Sequence, residues 1–162
     1  MILIVCGVSG TGKTTIGTLL SEALEIPFFD ADDFHPVSNI EKMASGLPLD
    51  DEDRQPWLEI LASNLSAWEK EGGTVLACSA LKESYRATLG SRCSEGIQWI
   101  ILHASEAVLA ERLASRKGHF LDQQLLRSQL DAFEMPDYGW ATDVESSPQE
   151  ILNTILERLH SE

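Results

Sequence analysis

An eight-residue stretch, Gly7-Val8-Ser9-Gly10-Thr11-Gly12-Lys13-Thr14, follows the strand-like run Ile2-Leu3-Ile4-Val5-Cys6 and precedes apolar residues at Ile16, Leu19, Leu20, Ala23 and Leu24, the spacing of one helix face. The pattern G-x-x-x-x-G-K-T between strand and helix constrains the fold more than anything else in the chain, since it sets the first two elements and the turn joining them. Three glycines allow backbone conformations closed to other residues, so several N–H groups turn inward. The helix adds its free N-terminal donors and the positive end of its dipole. A phosphate chain is the ligand for such a cradle. Gly7, Val8, Ser9, Gly10, Thr11, Gly12, Lys13, Thr14 and Thr15 are expected to line it, Lys13 as the mobile cation for the outer phosphates and the Thr14 hydroxyl as a Mg²⁺ ligand.

A chain of 162 residues reads as one domain, 1–162, able to bury roughly two-thirds of the surface it exposes when unfolded. Its formal charge of −14 argues against a nucleic acid or an anionic membrane as main partner, because both require basic patches. The expected ligand is itself anionic, so the 12 Lys and Arg residues should concentrate at the site. Cys6, Cys78 and Cys93 have no metal-ligand spacing and fit a reducing compartment, with Cys6 and Cys78 reading as buried small hydrophobes. No apolar run reaches the length of a membrane span and no signal-peptide pattern opens the chain, so a cytoplasmic location is expected.

Further along, Ile26-Pro27-Phe28-Phe29 reads as a second strand ending in Asp30-Ala31-Asp32-Asp33-Phe34-His35-Pro36. Carboxylates at the C-terminal edge of a parallel sheet suit a metal or a substrate hydroxyl, and a solvated acidic turn is the other reading. Ser38-Asn39-Ile40-Glu41 has the form of a capping box opening a short helix that ends at Gly46 and Pro48. Leu49 to Trp57 leads into a longer helix with the stripe Trp57, Ile60, Leu61, Leu65 and Trp68; Arg54, after four acids, is an anion clamp or their ion-pair partner. Thr74-Val75-Leu76-Ala77-Cys78 is a third strand that ends in Ser79. The Mg²⁺-orienting acid that motor-type ATPases place there is missing, which shifts that duty to Asp30 or Asp32. The next helix is read as carrying Lys82 and Arg86 side by side, with Glu83 turned away, on a solvated face or at an anion site.

Gly96 to Leu102 forms a fourth strand, and Ser105 opens a helix with Val108, Leu109, Arg112 and Leu113. The basic string Ser115-Arg116-Lys117-Gly118-His119-Phe120 reads as a small mobile lid, approximately 112–125, bringing Arg112, Arg116 and Lys117 over phosphates, or as an ordinary basic helix end stopped by Gly. Asp122 is expected to cap a helix with Leu125, Leu126, Gln129, Leu130 and Phe133. Trp140 to Val144 is a fifth strand, and Ser147-Pro148-Gln149-Glu150 a capping box for the last helix. The alternation implies an α/β fold, a mostly parallel five-stranded sheet with helices on both faces.

The residues alone lead to a small nucleotide enzyme with an acidic acceptor corner and a basic lid. Across nearly its whole length the chain resembles the gluconokinase family of P-loop kinases. The resemblance rests on Gly7 to Thr14, the D-x-D-x-x-H-P pattern at Asp30, Asp32, His35 and Pro36, and the string Asn39-Ile40-Glu41-Lys42-Met43-Ala44-Ser45-Gly46. It continues with Asp53-Arg54-Gln55-Pro56-Trp57-Leu58, Cys78-Ser79-Ala80-Leu81-Lys82 with Tyr85 and Arg86, Arg116 to Phe120, and Ser128-Gln129 with Glu134 and Pro136. Asp33 is a local variation that makes the acidic corner D-A-D-D.

The resemblance implies a three-layer P-loop kinase fold, ATP-dependent phosphorylation of the 6-hydroxyl of D-gluconate, and a cytoplasmic protein that is often a homodimer. It implies ATP and Mg²⁺, with Thr14 and Asp30 at the metal and Lys13, Asp32 and Arg116 as catalytic residues. Arg112 and Arg116 would act on the phosphates, and Asp32, His35, Arg54, Lys82 and Arg86 would bind substrate. A kinase for shikimate or a nucleotide is the nearest rival, against which the His35-Pro36 and Arg54-Gln55-Pro56-Trp57 strings speak. A nucleotide-switched binding module is the other, and no N-K-x-D guanine-reading string is present.

Overall fold

The computed structural model describes residues 1–115 and 119–161, the side chains of 119–123 excepted. Five strands, β1 (Ile2–Cys6), β2 (Phe28–Asp30), β3 (Thr74–Ala77), β4 (Ile97–His103) and β5 (Trp140–Asp143), form one sheet in the order β2-β3-β1-β4-β5. All neighbouring pairs are parallel. Parallel strands need crossovers rather than hairpins, and helices provide them. They are α1 (Lys13–Leu24), α2 (Val37–Ala44), α3 (Asp51–Lys70), α4 (Glu83–Gly90), α5 (Glu106–Ala114), α6 (His119–Ala132) and α7 (Pro148–Ser161).

The pleat of β1 divides the core. Ile2, Ile4 and Cys6 pack with Leu58, Leu61 and Leu65 of α3, Leu89 of α4 and Leu109 and Leu113 of α5. Leu3 and Val5 point the other way, onto Ile16 and Leu20 of α1 and Ile151, Leu152 and Ile155 of α7. Alternate side chains of one central strand thus feed two cores, as a sheet covered on both faces requires. The three-layer α/β fold inferred above is present. Because the strands run the same way, the turns after β1, β2 and β3 lie along one edge, which places the glycine-rich loop, the acidic corner and the Ser79–Lys82 turn together.

Several boundaries differ from the sequence reading. The strand read at Ile26–Phe29 is Phe28–Asp30, because α1 ends with Glu25 in the left-handed region and the Ile26 N–H is bonded to the Ser21 carbonyl, within the helix exit. Ser38 does not cap α2. The Pro36 carbonyl accepts from Asn39 and Ile40, so Pro36 is the N-cap, the helix opens two residues earlier and Ser38 is inside it. Asp122 likewise falls within α6. The run Asp50–Asp53 is a reciprocal capping box: Asp50 accepts from the Asp53 N–H at 2.8 Å and Asp53 from the Asp50 N–H at 2.9 Å.

Candidate active site

The glycine-rich loop is built for close backbone approach. Gly7, Gly10 and Gly12 all have positive φ, and a Cβ on Gly7 would collide with the Leu102 carbonyl oxygen. Thr11, 1% exposed, ties the loop to itself by donating to the Val8 carbonyl at 2.8 Å. Lys13 Nζ donates to the same carbonyl at 3.2 Å, and burial pushes its pKa down. Thr14 and Thr15 stand exposed on the first turn of α1. Arg112 of α5 reaches the loop, donating to the Gly10 carbonyl at 3.2 Å and to Val144 at 2.6 Å. Gln129 of α6 reaches it from another side, its Oε1 accepting the Ser9 N–H at 2.6 Å.

Asp30 joins this donor half to the acceptor corner. Its Oδ2 lies 3.4 Å from the Thr14 hydroxyl, while its Oδ1 accepts the Asp32 N–H at 3.0 Å. The two oxygen donors brought together are of the kind Mg²⁺ takes, so Thr14 and Asp30 are the residues that would hold the ion expected there. Asp32 sits on the single 3₁₀ turn Ala31–Phe34, and among the described residues its carboxylate accepts no hydrogen bond. Crowding by protein and then the charge of Asp30 push its pKa up; the side chain is 84% exposed, so solvent screening keeps that effect small. Asp33 is exposed.

His35 stacks on Trp57 of α3, ring centroids 4.3 Å apart, and its Nε2 lies 3.8 Å from Asp32 Oδ1. Trp57 in turn donates to the Ala31 carbonyl at 2.7 Å, pinning the 3₁₀ turn. Arg54 is not the ion-pair partner of the neighbouring acids. Lys42 holds Asp53 and Lys82 holds Asp51, whereas Arg54 donates to the Leu49 carbonyl at 2.7 Å and to the Tyr85 hydroxyl at 3.4 Å. Arg54 and Lys82 both approach the Tyr85 ring, at 5.7 and 5.6 Å, and Tyr85 donates to Asp51. Two cations around one carboxylate leave the cluster net positive, which suits an anionic acceptor.

Arg86 is corrected. It is 2% exposed, and its guanidinium donates to the carbonyls of Ala80, Leu81 and Glu134 and to Glu83 and Tyr138, with no nitrogen left over for substrate. The cause is local: Ala80 holds a φ of 43°, so the turn after β3 leaves inward-facing carbonyls that must be satisfied. Nor do Lys82 and Arg86 share a helix face, because Lys82 is the N-cap of α4, and Glu83 turns toward Arg86, not away. Arg116 and the centre of the 112–125 segment lie outside the described residues.

Sequence reasoning missed roles for Asn39, Asp51, Tyr85 and Gln129. Asn39, Tyr85 and Gln129 lie within strings that carry the resemblance, yet nothing in their local spacing distinguishes them from surface or packing residues.

A family model described as an AAA domain matches residues 3–127. The chain is 42% identical to a gluconokinase of Arabidopsis thaliana over 96% of this chain and 90% of that one. It is 47% identical to a gluconokinase of Gluconobacter oxydans over 83% and 75%. The crystal structure of a gluconokinase from Sinorhizobium meliloti superposes with a TM-score of 0.86 at 42% identity, covering 97% of this chain and 91% of that one. With the glycine-rich loop, the Asp30–Asp32 corner and the Arg54–Tyr85–Lys82 cluster all on one sheet edge, this chain belongs to the gluconokinase family.

Proposed function

We propose that this chain transfers the terminal phosphoryl group of ATP to the 6-hydroxyl of D-gluconate, forming 6-phospho-D-gluconate and ADP in gluconate catabolism, upstream of the pentose phosphate or Entner-Doudoroff route. The observation that carries this reading is Asp30, one of whose oxygens meets Thr14 on the phosphate side while the other holds the backbone of Asp32 on the acceptor side. Donor and acceptor groups are thereby kept one residue apart.

In this reading the loop Gly7–Thr15 cradles the phosphates, and Lys13 leaves the Val8 carbonyl for their outer oxygens. Mg²⁺ held by Thr14 and Asp30 would neutralise phosphate charge. Asp32 orients the 6-hydroxyl; its oxygen bonds to the terminal phosphorus as the bond to the bridging oxygen breaks, and the proton passes to Asp32. Transfer of this kind depends mainly on positioning and charge neutralisation, so a weak base suffices. His35 is a hydrogen-bonding neighbour of the acceptor, and Arg54 and Lys82 face its carboxylate, Arg as a planar fork. Arg112, already on the Gly10 carbonyl, and Arg116 would act on the phosphates as the 112–125 lid closes and excludes water.

A single catalytic domain acting as a homodimer in the cytoplasm completes the proposal; among the described residues no helix is long and apolar enough to cross a membrane. ADP release measured over gluconate, other sugar acids, shikimate, nucleoside monophosphates and buffer alone tests the reading. Turnover should depend on gluconate. Turnover without it, or faster turnover with shikimate or a nucleotide, overturns the assignment.

A further inference from the structure

Asn39 on α2 is 3% exposed, which is unusual for an amide unless its polar atoms are satisfied. Its side-chain nitrogen lies 2.9 Å from the Asp53 carbonyl and 3.2 Å from His35 Nδ1. A carbonyl oxygen can only accept, so the atom facing Asp53 must be the NH₂ and not the amide oxygen. With that orientation set, the second amide hydrogen points at Nδ1, which must accept it. Nδ1 is therefore bare, and a neutral His35 carries its proton on Nε2, the nitrogen 3.8 Å from Asp32.

Three surroundings hold the ring in this state. The His35 side chain is 6% exposed and stacked on Trp57. Burial pushes its pKa down, Asp32 acts in the opposite sense, and the charge of Arg54 pushes it down again. Asn39 itself is fixed at its other end by α3, whose first turn is locked by the Asp50–Asp53 capping box. Protonation of Nδ1 would break the bond to Asn39 and set two donors against each other.

We propose that Asn39 is a positioning residue of the acceptor site: by donating to both Asp53 and His35, it fixes His35 as the Nε2–H tautomer. This makes His35 a one-way hydrogen-bond donor toward Asp32 and the acceptor hydroxyl beside it. The proposal rests on the acceptor site described above but not on which sugar acid fills it. It assigns His35 the work of orienting the carboxylate and hydroxyl, and removes it from consideration as the base, since the nitrogen facing the site already bears a hydrogen.

The test is nitrogen NMR of the resting protein with labelled histidine, assigned by comparison with His35→Gln. At neutral pH, His35 should show a pyridine-type Nδ1 and a pyrrole-type Nε2. The reverse pattern, or a doubly protonated ring, overturns the proposal. Asn39→Asp replaces two donors by acceptors and should shift the ring to the Nδ1–H or charged form, raising the KM for gluconate about tenfold or more while the KM for ATP is kept.

Should that variant not fold, two histidine replacements give the same answer, because the amide nitrogen of Gln can stand in for Nε2 and that of Asn for Nδ1. His35→Asn should raise the gluconate KM several-fold more than His35→Gln does; equal effects overturn the proposal. The spectrum needs no substrate, so a failure of gluconate as acceptor would show in the turnover assay alone and leave the tautomer standing.

Discussion

The Ser9 N–H donates to Oε1 of Gln129 at 2.6 Å, a contact across 120 residues that ties α6 to the glycine-rich loop. The helix thus supplies an acceptor to the loop proposed to hold phosphate, in which the Gly7 and Thr11 N–H groups are bonded to the Ser79 and Val8 carbonyls. Gln129→Glu keeps the acceptor but brings a negative charge to the cradle. Two like charges about 8 Å apart at an effective dielectric of about 20 repel by about 2 kcal/mol, so the KM for ATP should rise roughly thirtyfold in low salt. Gln129→Asn, too short to keep the contact but uncharged, should change it only a few-fold. Steady-state kinetics with ATP varied distinguishes the two.

The Asp32 carboxylate is exposed and accepts no hydrogen bond among the described residues, whereas Asp30 is engaged by Thr14 and by the Asp32 N–H, so the proposed reaction gives the acceptor hydroxyl to Asp32. Asp32→Asn should lower kcat by about a hundredfold or more, the range of general-base effects, with nucleotide affinity kept. Asp33→Asn should stay near wild type. Equal losses in the two variants would assign the proton to either carboxylate.

Lys13 is a cation held against the Val8 carbonyl with its pKa pushed down by burial. Its charge thus carries a desolvation penalty in the empty protein, and Lys13→Met should be as stable as wild type or more so, yet show no stabilisation by ATP. The sign of the pH effect follows. Between the lowered folded value and the unfolded 10.5, the unfolded chain holds more protons, so wild-type stability rises with pH in that window. The advantage of Lys13→Met should therefore be full below the folded value and shrink as pH rises toward 10.5. Urea unfolding near neutral pH and near pH 10 measures it.

Arg86→Leu would strand the carbonyls of Ala80 and Glu134, whereas that of Leu81 keeps the Glu134 N–H at 2.8 Å. At about 1–3 kcal/mol for each buried unsatisfied group, a loss of about 2 kcal/mol or more is expected, lowering Tm by about 4–8 °C for a chain of this size. Arg86→Lys should not restore it, because one ammonium cannot span carbonyls on two segments. A stable Arg86→Leu protein with only a raised gluconate KM would return Arg86 to the substrate.

What could be read from the sequence was local. The loop and its flanking elements, the position of Asp30 at a strand end and the Ser147–Glu150 capping box all depend on neighbours within a few residues, and they stand as read, with Ser147 and Glu150 bonded at 2.9 Å. Arg86 was misplaced because its partners exist only once Ala80 adopts a left-handed conformation and Glu134 returns from beyond α6. Asn39 lies in the string read as a capping box, and its work becomes visible only when the turn bearing His35 meets α2 and α3. The acids Asp50 to Asp53 are read as leading into a helix and offering ion-pair partners to Arg54; that Asp50 and Asp53 cap the helix reciprocally is seen only in the structure.

Phosphorus and carbon NMR of the product formed from ATP and isotope-labelled gluconate tests the central claim most directly. The account predicts a phosphate ester with carbon–phosphorus coupling at C6 and ADP formed in equal amount. Phosphate on another carbon, or inorganic phosphate with gluconate unchanged, would contradict it.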